Sequence, residues 1–207
     1  MMNNNFMGGE LLLPKPFELR HSQSIHAYLA RERIVFMYGA IVGYPQRMDI
    51  FNASQIADTL LVLNRMDKTK PIWLVIDSEG GFVNDGLGIY DVIKTIEAPV
   101  YTVGRSCFSM AAVLLTVGEK GHRYLYPHSK VMLHLPQGSS SGDSEEVKIQ
   151  AKELDKVKDV LVDILIENGV TKPRARILKD INREHWMDTQ EAIAYGLADK
   201  VLIKGLL

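Results

Sequence analysis

The sequence predicts an α/β fold, because segments with the period of strands alternate with segments with the period of helices along the chain. The run 72–76 (Ile-Trp-Leu-Val-Ile) is apolar on both faces, as in a strand of a parallel sheet that is covered on each side. The chain has 207 residues, 46% of them hydrophobic, which is enough to bury one sizeable core. We therefore expect a single domain over residues 17–207, preceded by a flexible N-terminal arm over residues 1–16.

The elements follow from local patterns. Ile56, Leu60 and Leu63 recur at helical spacing, and Asn52 or Ser54 can cap the helix that they predict. A β-branched run ends at Val103, and the apolar stretch that begins at Met110 is rich in helix formers, which predicts a strand, a tight turn and a buried helix. The predicted strands are 33–38, 72–76, 100–103, 122–126, 130–134 and 200–203. The predicted helices are 24–31, 50–64, 84–96, 110–116, 144–168, 177–180 and 189–195, the last ended by Gly196.

The helix over 144–168 carries one apolar stripe and starts at Asp143 or Ser144. At about 1.5 Å per residue it would be some 35 Å long, more than a compact domain of this size needs. We expect it to project from the domain and to meet another subunit.

Composition excludes several classes of function. The formal net charge is −1, and the basic residues form no patch interleaved with aromatic residues, so nucleic acid is not an expected partner. No apolar run approaches the roughly 18 residues of a membrane span, and the N-terminus lacks the pattern of a signal peptide. A single cysteine suits a reducing compartment, and we predict a cytoplasmic protein.

The junction between the strand that ends near Val103 and the following helix places Ser109 beside free backbone N–H groups. Ser109 is either an N-cap of an ordinary core helix or a nucleophile. His134 follows a predicted strand and is either a structural hydrogen-bonding group or a general base. The Gly80-Gly81 pair follows a buried strand. It either makes a tight turn or leaves room for backbone N–H groups to form an oxyanion hole with the N–H of Met110.

Other chemistries fit the sequence less well. It has no phosphate-binding glycine loop, no pair of histidines at metal-ligand spacing and no Cys-x-x-Cys. The segment around Ser106 lacks the second glycine of a nucleophile elbow. Cys107 is a possible nucleophile, but its apolar flanks would raise the pKa of the thiol and leave it inert.

Several motifs, which occur in the family's order between about Arg33 and Val201, resemble the proteolytic subunit of the Clp protease (the ClpP family of serine peptidases). Ser78-Glu-Gly-Gly-Phe-Val83 is similar to the family's Ser-Pro-Gly-Gly-Ser-Val loop. Phe108-Ser-Met-Ala-Ala112 is similar to its Ala-Ser-Met-Gly-Ala turn, and Val131-Met-Leu-His134 to its Val-Met-Ile-His strand. The segment from Glu191 to Asp199 resembles its Glu-Ala-x-x-Tyr-Gly-Leu-x-Asp end.

The resemblance implies a ClpP/crotonase-like fold of repeated β-β-α units with a long handle helix. It implies that Ser109 is the nucleophile, that His134 is the base and that Gly81 and Met110 donate to the oxyanion. The family's Asp-x-x-Arg-Asp pattern falls on residues 180–184, which places Glu184 where the family has the triad Asp. Asp180 and Asp188 are the alternative acids.

The resemblance also implies two heptameric rings stacked as a tetradecamer, an AAA+ unfoldase such as a Clp ATPase, and unfolded polypeptide substrates. The peptidase itself would need no cofactor and no metal, since ATP is used only by the unfoldase. Trp73 and Tyr124 match aromatic positions of the family's unfoldase-docking pocket, where Val75 replaces a usual tyrosine. The family's Asp–Arg contact between rings falls on Asn182 and Arg183.

Two other functions stay open at this point. A Clp-type subunit without activity could shape a mixed ring, but the presence of both Ser109 and His134 disfavours it. A crotonase-type acyl-CoA enzyme shares the fold and the oxyanion geometry, but its chemistry usually uses acidic residues in place of a Ser–His pair. The sequence therefore predicts a serine-type endopeptidase.

Overall fold

Helices and strands alternate in a computed structural model of the chain, which describes residues 22–43 and 52–207. The strands of these residues are β1 (Ile34–Ile41), β2 (Ile72–Gly81), β3 (Val100–Phe108), β4 (Arg123–Leu133), β5 (His185–Asp188) and β6 (Lys200–Val201). The helices are α1 (Ser22–Arg31), α2 (Ala53–Met66), α3 (Val83–Thr95), α4 (Met110–Thr116), α5 (Ser144–Glu167), α6 (Arg174–Asp180) and α7 (Thr189–Tyr195). The predicted α/β class is confirmed, whereas the predicted arm over 1–16 lies outside the described residues.

The strands form one mixed, mostly parallel sheet in the order β1-β2-β3-β4-β5. Neighbours from β1 to β4 run parallel, and β5 runs antiparallel to β4. The short β6 also pairs with β4, in parallel. This order places the carboxyl ends of β2, β3 and β4 side by side, where Gly80, Ser109 and His134 lie.

The sheet is covered on both faces, as the run 72–76 predicts. Ile72, Leu74 and Ile76 belong to the main apolar core together with buried residues of α2 to α5. Val75 is only 1% exposed and belongs to a separate cluster with Val103 and Tyr124. The alternation follows from the two-residue period of a strand, which sends successive side chains to opposite faces.

The helix α4 is the central helix of the core. All seven of its residues are buried, and it packs on β2 and β3. The hydroxyl of Thr102 on β3 donates to the Leu115 carbonyl of α4 at 2.8 Å, which satisfies a buried carbonyl near the end of the helix. The start of α4, and with it the turn at Ser109, is therefore fixed by packing.

Two predictions about strands are wrong. The predicted strands 122–126 and 130–134 are one strand, β4, whose pairing with β3 slips between Gly104 and Ser106. The hydroxyl of Ser129 donates to the Gly104 carbonyl at 2.7 Å and bridges this irregularity, so that the strand continues. The sequence analysis also missed β5, a four-residue strand that exists through its pairing with the free edge of β4.

The helix α5 begins with a capping box, in which Asp143 accepts from the N–H groups of Glu145 and Glu146. Its 24 residues make it about 36 Å long at 1.5 Å per residue. Only Val162, Ile164 and Leu165 of this helix are buried, all near its C-terminal end. The rest of α5 lies at the surface, as expected of a helix that projects.

An ion pair ties the start of β4 to the chain after α7. Arg123, 3% exposed, donates from Nη2 to Asp199 Oδ1 at 2.6 Å and from Nε to Asp199 Oδ2 at 2.9 Å. Its Nη1 also donates to the Asn168 carbonyl just after α5. Burial acts to raise the pKa of Asp199, but the Arg123 guanidinium outweighs it and holds that pKa below its usual value.

Candidate active site

Ser109 occupies the turn between β3 and α4 in a backbone conformation that is rare for a residue with a side chain. Its φ is +56° and its ψ is −123°. Such strain costs on the order of 1–3 kcal/mol and is found where the surrounding structure holds a functional group in place. The Ser109 N–H donates to the Met132 carbonyl of β4 at 2.8 Å, which fastens the turn to the neighbouring strand.

The side chain of Ser109 does not cap α4. Its Oγ lies 2.7 Å from Nε2 of His134 instead, within strong hydrogen-bond distance. His134 directly follows β4, and the pairing of Phe108 with Met132 brings the two residues together although they are 25 positions apart. The structure thus brings together the hydroxyl and the imidazole that the sequence analysis singled out, in the geometry of a nucleophile and its base.

The two glycines that end β2 are both close to other backbone. Gly80 has a φ of +90°, and a Cβ there would lie 2.8 Å from the Ser109 Cβ and 3.1 Å from the Met110 nitrogen. Gly81 packs against Ile41, since a Cβ on Gly81 would lie 2.3 Å from the Ile41 carbonyl oxygen. Only glycine lets this end of β2 approach both β1 and the turn at Ser109.

The Gly80 N–H donates to Oγ of Ser78 at 3.0 Å. At the same end of β2 it is Phe82 that donates to the Ile41 carbonyl, at 2.9 Å. The Gly81 N–H takes part in neither bond. The assignment of the Gly81 and Met110 N–H groups to an oxyanion hole stays a prediction.

A small cavity of about 30 Å³ adjoins Ser109 and His134. Its wall is mostly apolar, with Val113 from α4 and Leu161 and Leu165 from α5. Lys158 also lines it, and its ammonium group bonds to Asp155 at 2.8 Å. The cavity therefore offers a mostly apolar wall next to the Ser109 hydroxyl.

A second and larger space opens on the other side of His134. This cleft, of about 650 Å³, is lined by Gln137, Glu184 and Trp186 as well as by the imidazole. The acid that was expected to orient His134 therefore borders the same cleft as the base.

Glu184 nevertheless bonds elsewhere in this structure. Its Oε2 accepts from the indole N–H of Trp186 at 2.9 Å. The amide nitrogen of Gln137 lies at a long 3.4 Å from Nδ1 of His134. Among the described hydrogen bonds, none joins Glu184 to His134, and the role of Glu184 as third triad member stays a prediction.

The strand register ends one position short of the base and the acid. In the antiparallel ladder Met132 pairs with Trp186, and Leu133 pairs with His185. His134 and Glu184 are the next residues of the two segments, and both line the larger cleft. The carboxylate and the imidazole therefore share one cleft.

The two alternative acids have other partners. Asp180 lies 2.8 Å from Nε of Arg176 and accepts from the Tyr195 hydroxyl at 3.2 Å. Burial acts to raise the pKa of Asp180, but the hydrogen bonds from these two residues outweigh it and lower that pKa. Asp188 caps α7 by accepting from the Glu191 N–H at 2.9 Å. Neither carboxylate has a described hydrogen bond to His134.

The alternative nucleophile, Cys107, is unsuited to the role. Its side chain is fully buried, with Sγ 3.8 Å from the Ile76 carbonyl oxygen. Burial raises the pKa of the thiol far above its usual value, so that the reactive thiolate is not formed near neutral pH.

A family model described as Clp protease matches residues 18–205 of the chain. The chain belongs to the Clp protease family. The resemblance that the motifs indicated is confirmed, and so is the expectation of the fold that goes with it. In this member of the Clp protease family, no helix of the described residues is both long enough and apolar enough to cross a membrane.

The positions that the Clp protease resemblance assigned to partners also have defined places. Trp73 and Tyr124 lie on the face of the sheet opposite the main core, with their ring centroids 5.7 Å apart. Asn182 and Arg183 are exposed and line the larger cleft. Their roles in unfoldase docking and in contact between rings stay predictions.

The sequence analysis missed three residues of this Clp protease site: Ser78, Gln137 and Trp186. Gln137 lies in the Leu-Pro-Gln-Gly turn that directly follows His134, which was a usable signal for a contact with the imidazole. Trp186 follows Glu184 by two positions and therefore lies on the same face of a strand. Without β5 in the prediction this relation could not be recognised. Within the described residues, no three His, Cys, Asp or Glu side chains cluster as metal ligands would.

Proposed function

We propose that this chain is a serine-type endopeptidase subunit that hydrolyses peptide bonds of unfolded polypeptides. The observation that carries the proposal is the 2.7 Å contact between Ser109 Oγ and His134 Nε2, at a turn where Ser109 has a strained, positive φ. Membership of the Clp protease family supports it.

The chemistry is acyl transfer in two steps. His134 accepts the hydroxyl proton as Ser109 Oγ attacks the peptide carbonyl carbon, and it then gives the proton to the amine that leaves. The N–H groups of Gly81 and Met110 stabilise the negative charge on the carbonyl oxygen. Water, deprotonated by His134, attacks the acyl-enzyme and releases the carboxylate product together with free Ser109. Glu184 would keep the proton of neutral His134 on Nδ1, so that Nε2 acts as base.

The apolar cavity beside Ser109 would receive the side chain that precedes the scissile bond. Val113, Leu161 and Leu165 give it a wall that favours apolar groups. Because this cavity is small, we expect cleavage after residues with small apolar side chains.

We propose further that the subunit works in a barrel of two stacked heptameric rings in the cytoplasm, with an AAA+ unfoldase that delivers substrate. The surface position of most of α5 supports an assembly role, since Ile149 is 68% exposed and Val160 45% exposed on it. Native mass spectrometry tests the assembly, and a mass of fourteen subunits is the expected result.

The activity is tested with fluorogenic short peptides and with a fluorophosphonate that labels reactive serines. Ser109→Ala is expected to abolish both hydrolysis and labelling without changing the circular dichroism spectrum. Ser106→Ala is the matched control: it removes a hydroxyl three residues away that is not bonded to His134, and it should leave both signals near the native level. Hydrolysis that survives Ser109→Ala would refute the site assignment.

A second candidate function is that of a subunit with little activity in a mixed ring. The bond between Glu184 and Trp186 favours it, because it leaves the imidazole without a carboxylate partner. Failure of the native protein to label at Ser109, alone or with an added Clp-type partner subunit, would support this candidate instead.

A further inference from the structure

The third position of the triad is occupied in an unexpected way. The amide of Gln137 lies next to Nδ1 of His134, while the carboxylate of Glu184 is bound to the indole of Trp186. All four side chains border the same cleft of about 650 Å³. Space is therefore available for Glu184 to change partner by rotation of its side chain.

The amide of Gln137 bears on which nitrogen of His134 carries the proton, because its nitrogen lies 3.4 Å from Nδ1. As long as an N–H of Gln137 donates to Nδ1, that atom needs its lone pair and the neutral imidazole bears its proton on Nε2. Nε2 then donates to Ser109 Oγ and cannot accept the hydroxyl proton. This tautomer is incompetent for attack, although the 2.7 Å distance is that of an active pair.

The indole that retains Glu184 is itself held near the nucleophile. The Trp186 ring makes an edge-to-face contact with Phe108, the residue before Ser109, with ring centroids 4.9 Å apart. Phe108 and Trp186 both pair with Met132, one from each side of β4. Trp186, half exposed to solvent, thus donates a hydrogen bond to Glu184 and packs against Phe108.

We propose that Trp186 is a positioning residue that keeps Glu184 away from His134 in a resting state, and that the peptidase becomes competent when Glu184 exchanges the Trp186 indole for Nδ1 of His134. The exchange moves the imidazole proton from Nε2 to Nδ1, through solvent in the cleft, and frees Nε2 to act as base. The inference rests on the proposed peptidase function and assigns a control element to the same site.

The test compares native protein with Trp186→Phe, which keeps a ring against Phe108 and removes the N–H donor. With the short fluorogenic peptide, kcat should rise about three- to tenfold, the change that loss of one exposed hydrogen bond supports, while KM stays unchanged. The gain should vanish in Trp186→Phe combined with Glu184→Gln, because the neutral amide cannot serve as the carboxylate partner. A purely structural effect of Trp186 would persist in that background.

A second variant keeps the proposal open to refutation if Trp186→Phe does not fold. Gln137→Met preserves length and removes the amide beside Nδ1, and it should also raise kcat. A fall in kcat for Gln137→Met would overturn the proposal, since Gln137 would then be the working partner of His134. An unchanged or lower kcat in folded Trp186→Phe would overturn it as well.

Labelling of Ser109 by the fluorophosphonate distinguishes failure of the proposed control by Trp186 from failure of the peptidase proposal. If native protein and both variants label, but at rates that do not differ, the control by Trp186 is refuted and the peptidase proposal stands. If Ser109 labels in none of them, the peptidase proposal itself fails.

Discussion

Gly80→Ala is expected to damage the nucleophile turn more than it damages the fold. A Cβ at Gly80 would lie 2.6 Å from the Phe108 carbonyl oxygen and 2.8 Å from the Ser109 Cβ. The oxygen must retreat to about 3.4 Å for an ordinary contact, a displacement of roughly 0.8 Å in the residue next to the nucleophile. Since a misplacement of about 1 Å can cost on the order of a hundredfold in rate, we expect Ser109 labelling to slow by roughly ten- to a hundredfold.

The stability cost has two parts that a control variant separates. The φ of +90° at Gly80 costs an alanine on the order of 1–3 kcal/mol, and the steric overlap adds about 1–3 kcal/mol more. Gly121 has nearly the same φ, +88°, but a Cβ there would meet nothing within 4 Å. Gly121→Ala should therefore lose only the backbone part and should label at the native rate.

The assay follows unfolding in urea at fixed protein concentration and fluorophosphonate labelling in parallel. The expected order of stability is native, then Gly121→Ala, then Gly80→Ala, and only the last should label slowly. If the two variants are equally stable, or if Gly80→Ala is labelled at the native rate, the turn at Ser109 does not require the absence of a Cβ at Gly80, and this prediction is refuted.

Two further predictions concern the core and the buried ion pair. Cys107 should resist a thiol reagent in the folded protein at pH 8 and react in 6 M guanidinium chloride, because burial raises the pKa of its thiol; rapid reaction without denaturant would contradict its burial. The lowered pKa of Asp199 stabilises the folded state above the unfolded-chain pKa of about 3.9, and this contribution should be lost as the pH falls through the lower folded value. Asp199→Asn leaves Arg123 buried without its carboxylate partner and should lower the free energy of unfolding by about 3–5 kcal/mol at pH 7. The same variant should also lose less stability than the native protein as the pH falls below about 4. An unchanged loss of stability in acid would show that other carboxylates dominate.

Ser109 and His134 could be singled out as the candidate nucleophile and base because each follows a recognisable element. Ser109 lies between a β-branched run and an apolar helix, and His134 follows the apolar residues 131–133, so both fall at the ends of elements that the sequence pattern reveals. The long helix α5 and its Asp143 cap were predictable for the same reason. The strand β5 has only four residues and no period of its own, so its pairing with β4 could not be inferred.

Glu184 illustrates why a sequence motif does not determine the hydrogen-bond partner of a side chain. The family pattern placed Glu184 in the third position, and the structure does place it in the lining of the same cleft as His134. The partner of its carboxylate depends on the rotamer of a flexible side chain among neighbours from two strands and a turn. Trp186 and Gln137 supply those neighbours, and the sequence does not determine which of them the carboxylate or the imidazole contacts.

The sequence by itself determined the α/β class and most of the elements, because these depend on short-range periodicity, and its motifs singled out Ser109, His134 and the Gly80-Gly81 pair as candidate site residues. The tertiary structure decided how the strands are ordered, that Ser109 and His134 lie 2.7 Å apart, and which partner holds Glu184. Those facts arise from contacts between residues far apart in the chain, where packing and hydrogen-bond competition select one arrangement among several that the local sequence allows.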